Sequence, residues 1–294
     1  MTAPSLLTRR DAVKRAAVSA LALPFLNALP NLSAAESSDA AGPPRDRVHG
    51  LKLGVATISL RDQPVASVVA ILRQLEIGYV SIFRTHAPFE TGTPEECRAA
   101  AEQFRRAGIT VATSSVVYLT NNETAVRKAF ENARAAGLTL MTCSPAPDAL
   151  PLVERFVKEY GIRLAIHNHG PEDKFYPSPY EVLKLIEPYD SRIGLCLDVG
   201  HAMRARVNPA EAIRRCAARL YDVHLKDSRA TPGAMDDIPV EVGRGRMDIR
   251  AILAALIEIK YSGVAAFEYE RLGVNPAIGL GESVGYVRGM LAAM

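Results

Sequence analysis

Arg163–His167 reads RLAIH, Ile193–His201 reads IGLCLDVGH, Leu220–His224 reads LYDVH and Gly263–Glu268 reads GVAAFE. Each is a near-continuous apolar run, the pattern of a parallel strand covered on both faces. Each also closes on a polar residue: His167, Asp198, His224 and Glu268, with His201 three residues beyond Asp198. In an α/β barrel the strand C-termini converge on one mouth, so residues distant in sequence meet in one pocket. The four runs therefore predict both a fold and a site.

Working outward, strand-like segments are expected at 51–58, 78–83, 109–115, 138–143, 162–167, 193–198, 220–225 and 264–269. Amphipathic helical stretches lie between them, such as Ala66–Leu75, Pro94–Ala107, Glu123–Ala136 and Ala210–Ala218, and a terminal helix Glu282–Ala293 completes the ring. Pro94 and Pro209 stand near helix starts, where a missing N–H costs nothing. Gly78, Gly108, Gly137, Gly161 and Gly263 fall between helices and strands, as αβ turns require. This alternation predicts a single-domain (β/α)8 TIM barrel over residues 51–294. An open doubly wound sheet usually carries a glycine-rich phosphate turn after its first strand. Thr57-Ile58-Ser59-Leu60-Arg61 has none.

Residues 1–35 read as a twin-arginine signal peptide: Arg9-Arg10 in a basic patch, an apolar run from Ala16 to Leu32, and small residues at Ser33-Ala34-Ala35. Pro24 and Pro30 interrupt the run, which is short for a membrane span. The expected product is an exported, periplasmic protein without a stable membrane span after cleavage. Residues 36–50, rich in Ser, Ala, Pro and Arg, read as a flexible leader.

The chain is formally +3, and residues 1–35 hold four basic side chains and one acid. The remainder is balanced at 31 basic and 31 acidic residues. No basic footprint is left for a nucleic acid, and a small-molecule partner is expected instead. Cys97, Cys143, Cys196 and Cys216 form no CxxC pair and read as buried small hydrophobes.

Asp198, His224 and Glu268 come from three successive strand ends. Such an oxygen-rich set with imidazole suits one divalent ion: Mn, Mg, Co or Zn. The fourth ligand is read as His167, with Glu172 reaching back from the following loop as the alternative. His169 then contacts substrate, and His201 bonds a substrate hydroxyl or holds a second metal. Lys226 is expected to have a lowered pKa beside the ion and to donate to a developing oxyanion. Arg84 and His86 end the second strand and are expected at the mouth. Arg244, in the glycine-rich loop Glu241–Arg246, is expected to anchor substrate. Glu268 or Glu172 is the expected catalytic base.

In LAIHNHG, LCLDVGH, DVHLKD, EVGRGRMDI and AFEYE, the chain resembles the xylose-isomerase-like TIM barrels, from residue 51 to the C-terminus. That superfamily includes ketose 3-epimerases, hydroxypyruvate isomerase, inosose dehydratase and endonuclease IV-type nucleases. The resemblance implies that Asp198, His224 and Glu268 are metal ligands and that His201 lies near the substrate. Many relatives carry Glu where this chain has His167, and in the epimerases that Glu pairs with the last-strand Glu as a second base. The nuclease branch fits worse, because its trinuclear zinc site needs more histidines and a basic surface. The resemblance thus implies a metal-dependent isomerase or epimerase acting on a sugar, keto-sugar or polyol through an enediolate. A lyase, dehydratase or keto-glycoside-cleaving enzyme is the alternative, and a non-catalytic sugar-binding barrel stands further off. Export favours an unphosphorylated carbohydrate, and a homo-oligomer is compatible with the sequence.

Overall fold

The structure is a computed structural model that describes residues 47–294. The expected signal peptide and most of the expected leader lie outside the described residues. Arg47–Val48, at the leader's end, pairs antiparallel with the first barrel strand.

All eight expected strands are present: β1 Leu51–Ala56, β2 Tyr79–Ile82, β3 Thr110–Ser114, β4 Leu140–Pro145, β5 Arg163–His167, β6 Ile193–Asp198, β7 Leu220–Leu225 and β8 Val264–Phe267. They pair in parallel in sequence order, and β8 returns to β1 through Val264↔Lys52 to Phe267↔Val55. The third strand is divided. Thr110–Ser114 pairs with β2, while Val117–Leu119, just beyond it, pairs with β4. Side chains sew the gap between β3 and β4. The Thr142 N–H donates to Thr113 Oγ1 at 3.0 Å, and the Ser114 hydroxyl donates to the Thr142 carbonyl at 3.1 Å.

The outer layer comprises α1 Val65–Gln74, α2 Pro94–Arg106, α3 Glu123–Ala135, α4 Leu150–Tyr160, α5 Pro179–Ile186, the short α6 Val199–Arg204, α7 Pro209–Cys216, α8 Ile249–Glu258 and α9 Pro276–Ala292. Local chemistry sets their starts. Thr93 and Glu96 form a reciprocal capping box on α2. Asn122, Ser178, Asn208, Asp248 and Asn275 cap α3, α5, α7, α8 and α9. The terminal helix starts at Pro276, earlier than expected, because Asn275 caps it there.

Of the five turn glycines, Gly108, Gly137 and Gly161 take left-handed backbone. In the turns before Gly78 and Gly263 that conformation falls on Glu76 and Lys260 instead. All four cysteines are free and buried. The core lies between barrel and helices, with Phe104, Phe130, Phe156, Leu53 and Leu72 fully buried. Inside the barrel the filling is partly polar: Ser81, Thr113, Thr142 and Asp222 are buried. Among the described residues, no helix is long and apolar enough to cross a membrane.

Candidate metal centre

The strand ends do converge. One donor atom each from His167, Asp198, His224 and Glu268 lies within 4.8 Å of all the others, and all four residues are buried. His167 Nε2 is 3.1 Å from His224 Nδ1 and 3.7 Å from Asp198 Oδ2. Glu268 Oε2 is 2.8 Å from His224 Nδ1.

Asp198 divides its carboxylate between two tasks. Oδ1 accepts the His201 N–H at 2.8 Å and so caps α6. Oδ2 faces the cluster, buried and without a hydrogen-bond partner. A buried carboxylate oxygen left so is costly, and a cation at the centre of these donors satisfies it. Two imidazoles and two carboxylates fit Zn or Mn better than the all-oxygen shell typical of Mg or Ca.

Asn168 fixes the spacing of the two central strands. Its amide donates to the Asp198 carbonyl at 3.2 Å and accepts the Asp198 N–H at 3.0 Å. It therefore extends the β5–β6 ladder beyond His167, and its polar atoms serve the backbone.

Lys226 lies at the edge of the cluster, its ammonium 3.0 Å from Glu268 Oε1, 3.1 Å from Glu270 Oε2 and 3.5 Å from Asp198 Oδ2. Burial alone depresses an ammonium, but Asp198, Glu268, Glu270 and Asp237 together hold it well above its ordinary value. The lowered pKa expected from sequence concerned a lysine beside a bound cation; without one, the carboxylates set the direction. The same charges act in return. Burial pushes Glu268 up, but Lys226 and His224 hold its carboxyl well below the usual range. Burial likewise opposes ionisation of Asp198, and the charged groups around it, the Lys226 ammonium among them, more than offset it.

Asp227 makes no surface pair with Lys226. It accepts the N–H groups of Ser228, Gly243, Gly245 and Met247. A Cβ on Gly245 would collide with its carboxylate, which explains the glycine in that loop.

Three expected site residues, Glu172, Arg244 and His86, meet other partners, while Arg84 lies at the rim as expected. Glu172 is in a bidentate pair with Arg204, at 2.6 and 2.7 Å, and is not among the clustered donors. Arg244 points outward and pairs with Glu282 on α9. His86 is buried with both nitrogens used, Nδ1 on Thr57 Oγ1 and Nε2 on the Gln63 carbonyl, each at 2.9 Å. Arg84 reaches the rim, pairing with Glu90 and covering the Tyr118 ring. That ring stacks with His169, whose own ring lies 4.5 Å from His167. Burial and neighbouring His167 hold His169 down to about 4, against the opposing pull of Asp173.

His86 and His169 give a pH dependence. Burial also lowers His86 below the ordinary imidazole value, about 6.5. The unfolded chain gains a proton as pH falls through that value, while the folded chain does not until lower pH. The contribution of these two histidines to stability therefore falls as pH drops below about 6.5, by at most about 1.4 kcal/mol per pH unit for each. A His86→Asn variant whose urea midpoints fall as steeply from about pH 7.5 to 5 as the wild type's contradicts this for His86.

Sequence reasoning missed two residues at the centre. Asp222, Cys196 and Thr142 lie below the clustered donors, with Asp222 Oδ2 3.5 Å from His224 Nε2 and accepting from the Thr142 hydroxyl at 2.7 Å. The signal was there, because Asp222 and His224 alternate along β7 and so share its inward face, with Lys226 just beyond the strand's end. A carboxylate behind a ligating imidazole fixes the ring and raises its basicity. Asp222→Asn is expected to weaken Zn binding about 10–100-fold in a chelator competition, and unchanged affinity refutes that role. The second missed residue, Arg204, is fully buried.

Residues 69–290 match the family described as Xylose isomerase-like TIM barrel. The inosose dehydratase of Geobacillus kaustophilus (strain HTA426) is 29% identical over 169 residues, covering 52% of each chain. An uncharacterized protein of Methanocaldococcus jannaschii, MJ1311, is 26% identical over 41% of each chain. This chain thus spans about half or less of the curated relatives it matches. Among solved structures, the IolI protein with a bound zinc atom superposes with a TM-score of 0.68 at 16% identity, covering 83% of this chain and 99% of that one. The Escherichia coli 3-keto-D-glucoside 4-epimerase YcjR superposes with a TM-score of 0.66 at 16% identity, over 81% and 99%. At these identities the likeness is one of fold. The relatives with a stated activity, a dehydratase and an epimerase, are enzymes.

Proposed function

Because this chain belongs to the xylose isomerase-like TIM barrel family, we propose that it is a divalent-metal-dependent enzyme that moves the proton α to a carbonyl in a sugar, keto-sugar or polyol, acting as a single-base isomerase. His167, Asp198, His224 and Glu268 would hold the ion, with zinc or manganese favoured by the donors. When bound, such an ion supplies Lewis acidity toward the carbonyl and an adjacent hydroxyl.

The carrying observation is how the carboxylates at the mouth are engaged. Glu172 is held by Arg204, Glu270 sits between Arg61 and Lys226, and Asp198 caps a helix. His167 stands where an epimerase needs its second carboxylate. Glu268 is also paired, with His224 at 2.8 Å and Lys226 at 3.0 Å, but these partners place it among the clustered donors, and we assign it as the base. It takes the proton from the α carbon, and the electron pair moves onto the carbonyl oxygen to give an enediolate. The Lys226 ammonium donates a hydrogen bond to that developing charge. The hydroxyl proton on the α carbon then passes to the former carbonyl oxygen. Glu268 returns its proton to the carbon that bore that carbonyl, on the same face, leaving the new carbonyl beside it.

A second reading is dehydration, in which protonated Glu268 gives its proton to a departing β-hydroxyl and water leaves. The same single carboxylate serves it, and the similarity to inosose dehydratase favours it. Two-carboxylate epimerisation is disfavoured. An exported enzyme would meet unphosphorylated sugars or keto-glycosides, and the twin-arginine pattern in residues 1–35 supports that substrate class.

The test is incubation of the zinc- or manganese-loaded protein with sugars, inososes and 3-keto-glycosides in deuterated water, followed by NMR. An isomer with an intact skeleton supports the first reading, and an unsaturated product supports the second. No exchange at any carbon α to a carbonyl across the panel would sink both.

A further inference from the structure

Arg204 is fully buried, yet its guanidinium is among the most heavily used polar groups near the mouth. Nη1 donates to Glu172 Oε2 and to the Met235 carbonyl, both at 2.7 Å. Nη2 donates to Glu172 Oε1 at 2.6 Å and reaches the His169 carbonyl at 3.2 Å. Nη2 also lies 2.6 Å from His201 Nδ1. These contacts tie α6 to the loop after β5 and to the loop after β7.

The last contact has a fixed direction. A guanidinium in a protein only donates, so His201 Nδ1 at 2.6 Å must accept. A proton on Nδ1 would set two donors against each other at hydrogen-bonding distance. His201 is therefore neutral, with its one proton on Nε2. That nitrogen faces the metal centre, and the carboxylate oxygen opposite it, Asp198 Oδ2, is 3.9 Å away, beyond a hydrogen bond. Lys226 Nζ, at 3.5 Å from Nε2, is itself a donor and has Glu268 and Glu270 closer.

We infer that Arg204 is a positioning residue that locks His201 in the neutral Nε2–H tautomer, so that His201 presents a hydrogen-bond donor to a substrate oxygen and is barred from ligating a metal through Nε2. A neutral imidazole N–H polarises an oxygen without delivering its proton, since its loss would leave an imidazolate. This fits a site in which Glu268 alone carries the proton. The inference also gives Glu172 a purpose: its carboxylate grips both guanidinium nitrogens and aims the third bond at His201. It extends the functional reading above, but the tautomer is a property of the free protein and is measured without substrate.

The experiment is 15N–1H NMR of the histidine-labelled full chain, apo and zinc-loaded, with His201 assigned by comparison with His201→Gln. The wild-type protein is expected to show His201 protonated at Nε2 and bare at Nδ1 from pH 5.5 to 8, with or without zinc. Wild-type signals showing Nδ1–H, a charged ring, or a zinc-induced shift of direct ligation at Nε2 overturn the inference without any variant. Arg204→Met, where folded, is expected to lose the single-tautomer pattern, and Arg204→Lys to restore it only in part because an ammonium cannot serve the same planar set. A folded Arg204→Met that keeps the wild-type tautomer means Arg204 is merely structural and refutes its positioning role. Failure of the deuterium exchange test with the tautomer as expected would strike the reaction alone.

Discussion

Glu268→Gln is expected to lower kcat on the active sugar by about 10²–10⁴-fold, the usual weight of a positioned base. The amide keeps the shape of the carboxylate but can neither take the proton nor offer an anionic donor. Metal affinity falls with it, because the substitution removes one of the two carboxylates in the cluster. The two effects separate by assaying at saturating zinc or manganese, where occupancy is restored and the loss in kcat remains. Full activity of Glu268→Gln under that condition would remove Glu268 as the base.

Lys226→Met has a different signature. The wild-type ammonium sits among Asp198, Glu268, Glu270 and Asp237 with only 1% of its side chain exposed. Its removal leaves buried carboxylates without their cation, a loss on the order of 3–5 kcal/mol when a buried pair is broken. The metal-free variant is expected to melt well below the wild type. Saturating metal narrows that gap, since a ligand bound to the folded state stabilises it by mass action and supplies positive charge to the same oxygens. Activity stays low even then, by about 10²–10³-fold, because the donor to the developing oxyanion is gone. Wild-type rates in metal-loaded Lys226→Met would confine the lysine to stability.

The barrel was legible because its signal is long and repeated. Buried strands at regular intervals leave one arrangement that buries every run, and the turn residues agree with it. The four clustered donors were legible for the same reason, being the terminal residues of those runs. What escaped was the direction of side chains that leave the strands. Glu172, Arg244 and His86 all follow strand ends, yet each meets a closer partner: Arg204, Glu282, or the Thr57–Gln63 pair. Nothing in local sequence ranks such partners, since Arg204 approaches Glu172 from a separate helix. Asp222 is the instructive omission, because the alternation of β7 does place it beneath His224.

The divided third strand has its own consequence. Elsewhere round the barrel, neighbouring strands are joined by backbone ladders, which any side chain tolerates. Between β3 and β4 the joint is made by the hydroxyls of Thr113 and Ser114, so there cohesion is written into side-chain identity. Such a barrel has a preferred line of opening. Opening there has to break the side-chain bonds of Thr113 and Ser114 and the short Val117–Leu119 ladder to β4, so loss of the two hydroxyls is expected to loosen the cylinder without touching the clustered donors.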